Sequence, residues 1–143
     1  MRTRITSLVL GTIAAAALVA APVAAGGAQP VTITLSVDFG AGTEDFTATG
    51  AFCPTGSAET TSNSRTGGPT GVFHVDKTFI CDDDSGTLSI SLDAVFQNKK
   101  GGTVGGWRIT GGTGDYAGAV GGGQIVGVGT SVGIDDTYRG VIR

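Results

Sequence analysis

From Val31 to Phe39 the chain alternates with a period of two. Val31, Ile33, Leu35, Val37 and Phe39 fall in one phase, and Thr32, Thr34, Ser36 and Asp38 in the other. Such alternation in β-branched residues predicts a strand with one buried face. Gly40-Ala41-Gly42 turns the chain, and Phe46, Ala48, Gly50 and Phe52 then set a second apolar face with Thr47 and Thr49 opposite. Cys53-Pro54 ends that strand, because proline has no N–H to give a central ladder. Ser57 to Ser64 is polar on both faces; it reads as a strand rather than a loop because Arg65 to Gly71 is a strong turn signal and Val72 to Cys81 beyond it is again strand-like. The two make a hairpin that returns Cys81 towards Cys53. Asp82 to Gly86 is a turn, after which Leu88, Ile90, Leu92, Ala94 and Phe96 alternate with Thr87, Ser89, Ser91, Asp93 and Val95. Asn98 to Gly102 leads into a strand carrying Trp107 and Ile109. Gln124 to Thr130 and Thr137 to Ile142 read as two more strands, joined near Asp135-Asp136.

The pattern therefore predicts eight short strands, no helical period, and turns at the spacing typical of all-β sandwiches and barrels. Two folds fit this pattern: a closed eight-stranded antiparallel up-and-down barrel and a β-sandwich. Closure removes both sheet edges, which otherwise invite aggregation. The chain's 26 glycines also suit the bends a small barrel requires.

The segment before the first strand changes the picture of where the protein works. Arg2 and Arg4 precede an apolar run from Leu8 to Ala21, and Pro22-Val23-Ala24-Ala25-Gly26 supplies small residues for cleavage. This is the pattern of a secretory signal peptide over residues 1–25, leaving a single domain at 26–143. The alternative is a membrane anchor, but the run is short for a span and no basic stop follows it. The expectation is a secreted, extracellular protein without a membrane span after cleavage. Loss of Arg2 and Arg4 leaves seven basic and twelve acidic side chains, a formal charge of −5. That surface repels phosphate backbones, so nucleic acid is not an expected partner. In an exported chain, Cys53 and Cys81 most simply form one disulfide, worth roughly 3–4 kcal/mol by loop entropy. The cysteines differ in phase, which calls for a bulge or a loop position at one of them.

The stretch from Gly105 to Gly123 holds two glycine clusters around an aromatic. Trp107 leads to Gly111-Gly112-Thr113-Gly114, then Tyr116, Ala119 and Gly121. This predicts a tight structural corner with Tyr116 as its largely buried plug. It resembles the corner of the allene oxide cyclase and dirigent barrel families and of small secreted bacterial proteins grouped with them. The resemblance covers about 20 residues closely. The resemblance implies the closed eight-stranded up-and-down barrel, which is therefore the expected fold with the β-sandwich as the alternative, and, for activity, a cyclase or isomerase that steers a reactive intermediate by shape. Dirigent-type sequences often carry arginine before the last glycine of the motif, where this chain has Val120. No catalytic carboxylate of either family matches a residue here.

Other candidate chemistry is sparse. Gly112 to Ala117 has the outline of a dinucleotide fingerprint but lacks the helix that motif needs. No cofactor and no metal site is expected: the Asp82-Asp83-Asp84 turn lacks the later glutamate of a complete EF-hand loop and reads as a solvated acidic turn. The single histidine, His74, shares a strand face with Asp76. Lys77 shares the phase of Phe73, Val75, Phe79 and Cys81, so it points inward unless a bulge or the barrel mouth takes it out. A buried lysine needs a partner, and Glu44, Glu59 and Asp93 are available. With Arg108, whose facing the pattern leaves open, these are the candidate ligand-binding residues. Three functions stay open: a module binding a small apolar molecule, a cyclase or isomerase, and an extracellular structural or interaction protein with a solid core. Oligomeric state is not legible.

Overall fold

A computed structural model describes residues 26–68, 71–97 and 102–143; the expected signal peptide, residues 1–25, lies outside them. The chain forms eight strands: β1 Gln29–Asp38, β2 Thr43–Gly50, β3 Thr55–Thr66, β4 Val72–Cys81, β5 Gly86–Gln97, β6 Gly102–Gly114, β7 Gly121–Gly129 and β8 Gly133–Ile142. They pair antiparallel in sequence order, and β8 closes on β1 from Gln29↔Ile142 to Asp38↔Gly133. The fold is the expected closed up-and-down barrel, and the sandwich alternative is not formed.

The alternation places the core as expected. Val31, Ile33, Leu35, Phe46, Phe79, Leu88, Ile90, Leu92 and Trp107 are all buried inside the barrel. Each such side chain contributes roughly 1.5–3 kcal/mol by leaving water. Phe39 departs from its phase: it follows the last residue of β1 and stands 72% exposed in the turn.

Several strand boundaries differ from the sequence reading: β2 ends at Gly50, so Phe52 lies in the loop, and β3 runs beyond Ser57 to Ser64 at both ends. β6 continues through Gly111-Gly112 to Gly114, so the turn is residues 115–120 rather than the glycine cluster. β7 starts at Gly121. Asp135 and Asp136 lie within β8, not in a turn; they pair with Ser36 and Leu35 on one side and with Val128 and Gly127 on the other. Acidic residues are poor strand formers in isolation, but a ladder complete on both sides overrides that preference.

The connections sort the barrel ends. The β2–β3, β4–β5 and β6–β7 links lie at one end, and the four hairpins β1–β2, β3–β4, β5–β6 and β7–β8 at the other. The first end is closed. Phe46, Phe52 and Phe79 form a ring cluster there, with centroids 5.4 to 6.2 Å apart. The Cys53–Cys81 disulfide sits beside it with a Cα–Cα distance of 5.9 Å. Cys53 is in the β2–β3 loop, which removes the phase conflict. Tyr116 is only partly buried, contrary to expectation: its ring packs on Phe52 at 4.7 Å from outside, so Phe52 is the plug and Tyr116 its cover. In the corner, Gly114 takes φ +60°, and a Cβ on Gly112 would stand 2.3 Å from the Tyr116 carbonyl oxygen. A Cβ on Gly111 would meet nothing, so that glycine is not demanded by space.

Candidate functional site

Among the described residues, the hairpin end is open. A cavity of about 610 Å³ enters the barrel there, within the range of small-molecule sites. Its walls are apolar: Val37, Phe73, Val75, Leu92, Ala94 and Ile125. Phe96, 42% exposed, and Phe39 stand at the rim.

Charged groups lie deep inside this apolar collar. Lys77 is inward by strand phase and only 6% exposed. Its Nζ donates to Glu44 Oε2 and, at 2.6 Å, to Thr60 Oγ1; Thr60 Oγ1 donates in turn to Glu44 Oε1 at 2.7 Å. Three strands supply the triad. β3 does so through a bulge: Thr60 pairs with Lys77 and Ser62 with Asp76, leaving Thr61 as the extra residue, whose hydroxyl donates to the Asp76 carbonyl at 3.2 Å. The inserted residue lets Thr60 and Asn63, three apart, both line the cavity.

Asp136 completes the polar floor from β8. It is 7% exposed, and its Oδ1 makes no hydrogen bond to any described residue. The hydroxyl of the fully buried Tyr138 has no hydrogen-bond partner among the described residues either, though it lies near enough to this carboxyl to act on its ionisation. Burial pushes the Asp136 carboxyl up to about 6; Lys77 pulls it back, while Glu44 and Asp135 add to the rise. Burial, then the charges of Asp136 and Glu44, hold the Tyr138 phenol well above its ordinary value. Room for the carboxyl comes from its neighbour on β7: a Cβ on Gly127 would stand 2.4 Å from both Asp136 Oδ1 and Thr103 Oγ1.

Of the five sequence candidates, the fold brings only Lys77 and Glu44 together. Glu59 is exposed on the outer face, as its alternation with Ala58 and Thr60 requires. Arg108 is also exposed, paired across the ladder with Ser91. Asp93 points outward to His74, with Oδ1 accepting from Nδ1 at 2.5 Å, and His74 Nε2 lies 3.2 Å from the Thr66 hydroxyl. His74 thus pairs with Asp93 rather than Asp76. A direct cross-strand neighbour is roughly 5 Å away, whereas i and i+2 on one strand are separated by about 6.6 Å. That outer pair is about half exposed.

Asp136 and Thr60 were not among the sequence candidates. Asp136 carries a signal, because Ile134, Asp136, Tyr138 and Ile142 share one phase. Thr60 carries none, since its facing depends on the bulge.

No family model, curated protein or solved structure matches the chain. The site must therefore be interpreted from its own chemistry. Cys53, Cys81 and Asp83 cluster within ligand range, but both sulfurs are spent in the disulfide and are not metal ligands. Asp83 instead accepts from the Ser85 amide at 3.0 Å, and the Ser85 hydrogen bonds hold its carboxyl below the usual range. No described helix is long and apolar enough to cross a membrane.

Proposed function

We propose that this chain is an exported barrel that binds a small, largely apolar molecule with one polar end. The observation that carries this reading is the one-ended cavity, with apolar walls and rim and a charged floor formed by Glu44, Lys77 and Asp136. An apolar body gains by leaving water against the walls, and the floor orients the polar end. The disulfide is compatible with an extracellular setting.

Titration of the purified chain with the neutral fluorophore N-phenyl-1-naphthylamine tests it. One saturable site is expected. Ala94→Phe, which puts a ring into the cavity from a wall position 4% exposed, should weaken binding at least tenfold while the far-ultraviolet circular dichroism stays unchanged. Absence of saturable binding, or equal binding by the variant, sinks the reading.

A second reading is a cyclase or isomerase of the kind implied by the resemblance to allene oxide cyclase and dirigent barrels. The observation favouring it is Asp136, a buried carboxyl held near 6 and so able to give or take a proton close to neutral pH. Turnover of unsaturated epoxides that Asp136→Asn abolishes would support it; binding without product would exclude it for those substrates.

A further inference from the structure

We propose that the polar floor selects a protonated amine, so that the cavity's ligand is a cationic amphiphile rather than a fatty acid or other anion. The inference rests on the binding reading above and concerns which head group the floor accepts.

The hydrogen-bond inventory decides the sign. The Lys77 ammonium has three donors, of which Glu44 and Thr60 take two, and both Glu44 oxygens already accept. One ammonium hydrogen stays free, but lysine and glutamate neutralise one another and leave no net positive charge for an incoming anion. What stays unanswered is Asp136 Oδ1, an acceptor on a carboxyl that lines the cavity and is 7% exposed, and the buried Tyr138 hydroxyl beside it. A buried acceptor without a donor is costly, and more so when charged. With Asp136 ionised, the floor carries one positive and two negative groups, a net charge of −1. An ammonium head in the cavity supplies a donor to the Asp136 carboxyl and the missing charge. A carboxylate head meets two carboxylates and brings no donor. An alcohol brings one donor and no charge, and so falls between. The groups facing Asp136 are Glu44 from β2, Lys77 from β4, Thr103 from β6 and Tyr138 from its own strand, with Asp135 adjacent on the outer side. Among them Asp136 is the one held near 6, so the preference should grow as pH rises through that value.

Decylamine, decanol and decanoate have the same chain and differ only in the head. Each is competed, below its micellar concentration, against bound N-phenyl-1-naphthylamine. At pH 7.5 the amine should displace the probe at least tenfold more tightly than the carboxylate, with the alcohol between; at pH 5 the gap should shrink to threefold or less. Asp136→Asn should remove the preference at pH 7.5 and leave decanol within threefold of its original value. The acidic surface attracts amines without specificity, so Asp93→Asn, which deletes a charge on the outer face, is the control and should leave the preference intact. Decanoate binding as tightly as decylamine while the probe is still displaced would overturn the head-group proposal and leave the binding reading standing. A preference that survives Asp136→Asn, or that Asp93→Asn abolishes, would overturn it as well. A probe that never binds, with no competitor detectable by calorimetry, would bring down both.

Discussion

At the scale of single residues, Asp136 is the costly one. Its carboxyl ionises near 6 in the folded barrel, against an ordinary value of 3.8. A raised folded value means that the folded state holds this proton more tightly than the unfolded chain. The group therefore favours folding most at low pH, and that contribution is lost as pH rises from about 4 through 6. Above pH 7 the ionised form costs up to about 3 kcal/mol, at 1.36 kcal/mol per pH unit. Asp136→Asn removes the charge and keeps the shape, so it should stabilise the empty barrel by roughly 1–3 kcal/mol at pH 7.5 and by little at pH 4. Chemical denaturation of both proteins at the two pH values measures this, and a variant less stable at pH 7.5 would mean that the carboxylate has a partner in the folded state. Sequence reading reached Lys77 because a cation in a strictly apolar phase stands out, and it reached Glu44 as one of three carboxylates within reach. It passed over Asp136 because Asp135-Asp136 looks like a turn, although the same residue sits in phase with Ile134 and Tyr138.

At the scale of strands, regularity decided what could be read. β1 and β5 alternate cleanly, and their core residues are those the pattern names apart from Phe39 and Phe96, which stand exposed at the rim. β3 is polar on both faces and contains the Thr60/Ser62 register shift, so its inward residues became known only from its pairing with β4. This difference can be tested by deletion. Removing Thr61 from the bulge restores strict alternation between Thr60, facing in, and Ser62, facing out, and leaves the β3–β4 register as it is. Removing Thr34 from β1, which has unbroken ladders on both sides, flips one half of that strand and exposes either Val31 and Ile33 or Leu35 and Val37. The Thr61 deletion should give a folded barrel with a cooperative melt, and the Thr34 deletion should give none. A Thr61 deletion that fails to fold would show that the bulge bends β3 in a way the closed barrel cannot do without.

At the scale of the whole molecule, eight strands in sequence order allowed a barrel or a sandwich, the resemblance of the Gly111 to Gly121 corner chose the barrel, and which end is open was not legible. That asymmetry comes from a few side chains: Phe52, Tyr116 and the disulfide fill the end where even strands lead to odd ones, while among the described residues the aromatic rings Phe39 and Phe96 stand at the rim of the hairpin end without filling it. The two ends are joined by the ring column of Phe46, Phe79 and Tyr138, which lies between the disulfide and the cavity floor. If that column is rigid, stability and binding are separable. The cross-link acts mainly on the unfolded chain, so replacing Cys53 and Cys81 together by serine should lower stability by roughly 3–4 kcal/mol. The Glu44–Lys77–Thr60 triad and Asp136 would keep their positions, because none of them touches the closed end. Under conditions where the double variant remains folded by circular dichroism, its affinity for N-phenyl-1-naphthylamine should therefore lie within about threefold of the parent, a difference below 1 kcal/mol. A loss beyond tenfold in the folded variant would show that the disulfide sets the cavity's shape through Phe46 and Phe79, and that the barrel responds as one unit from end to end.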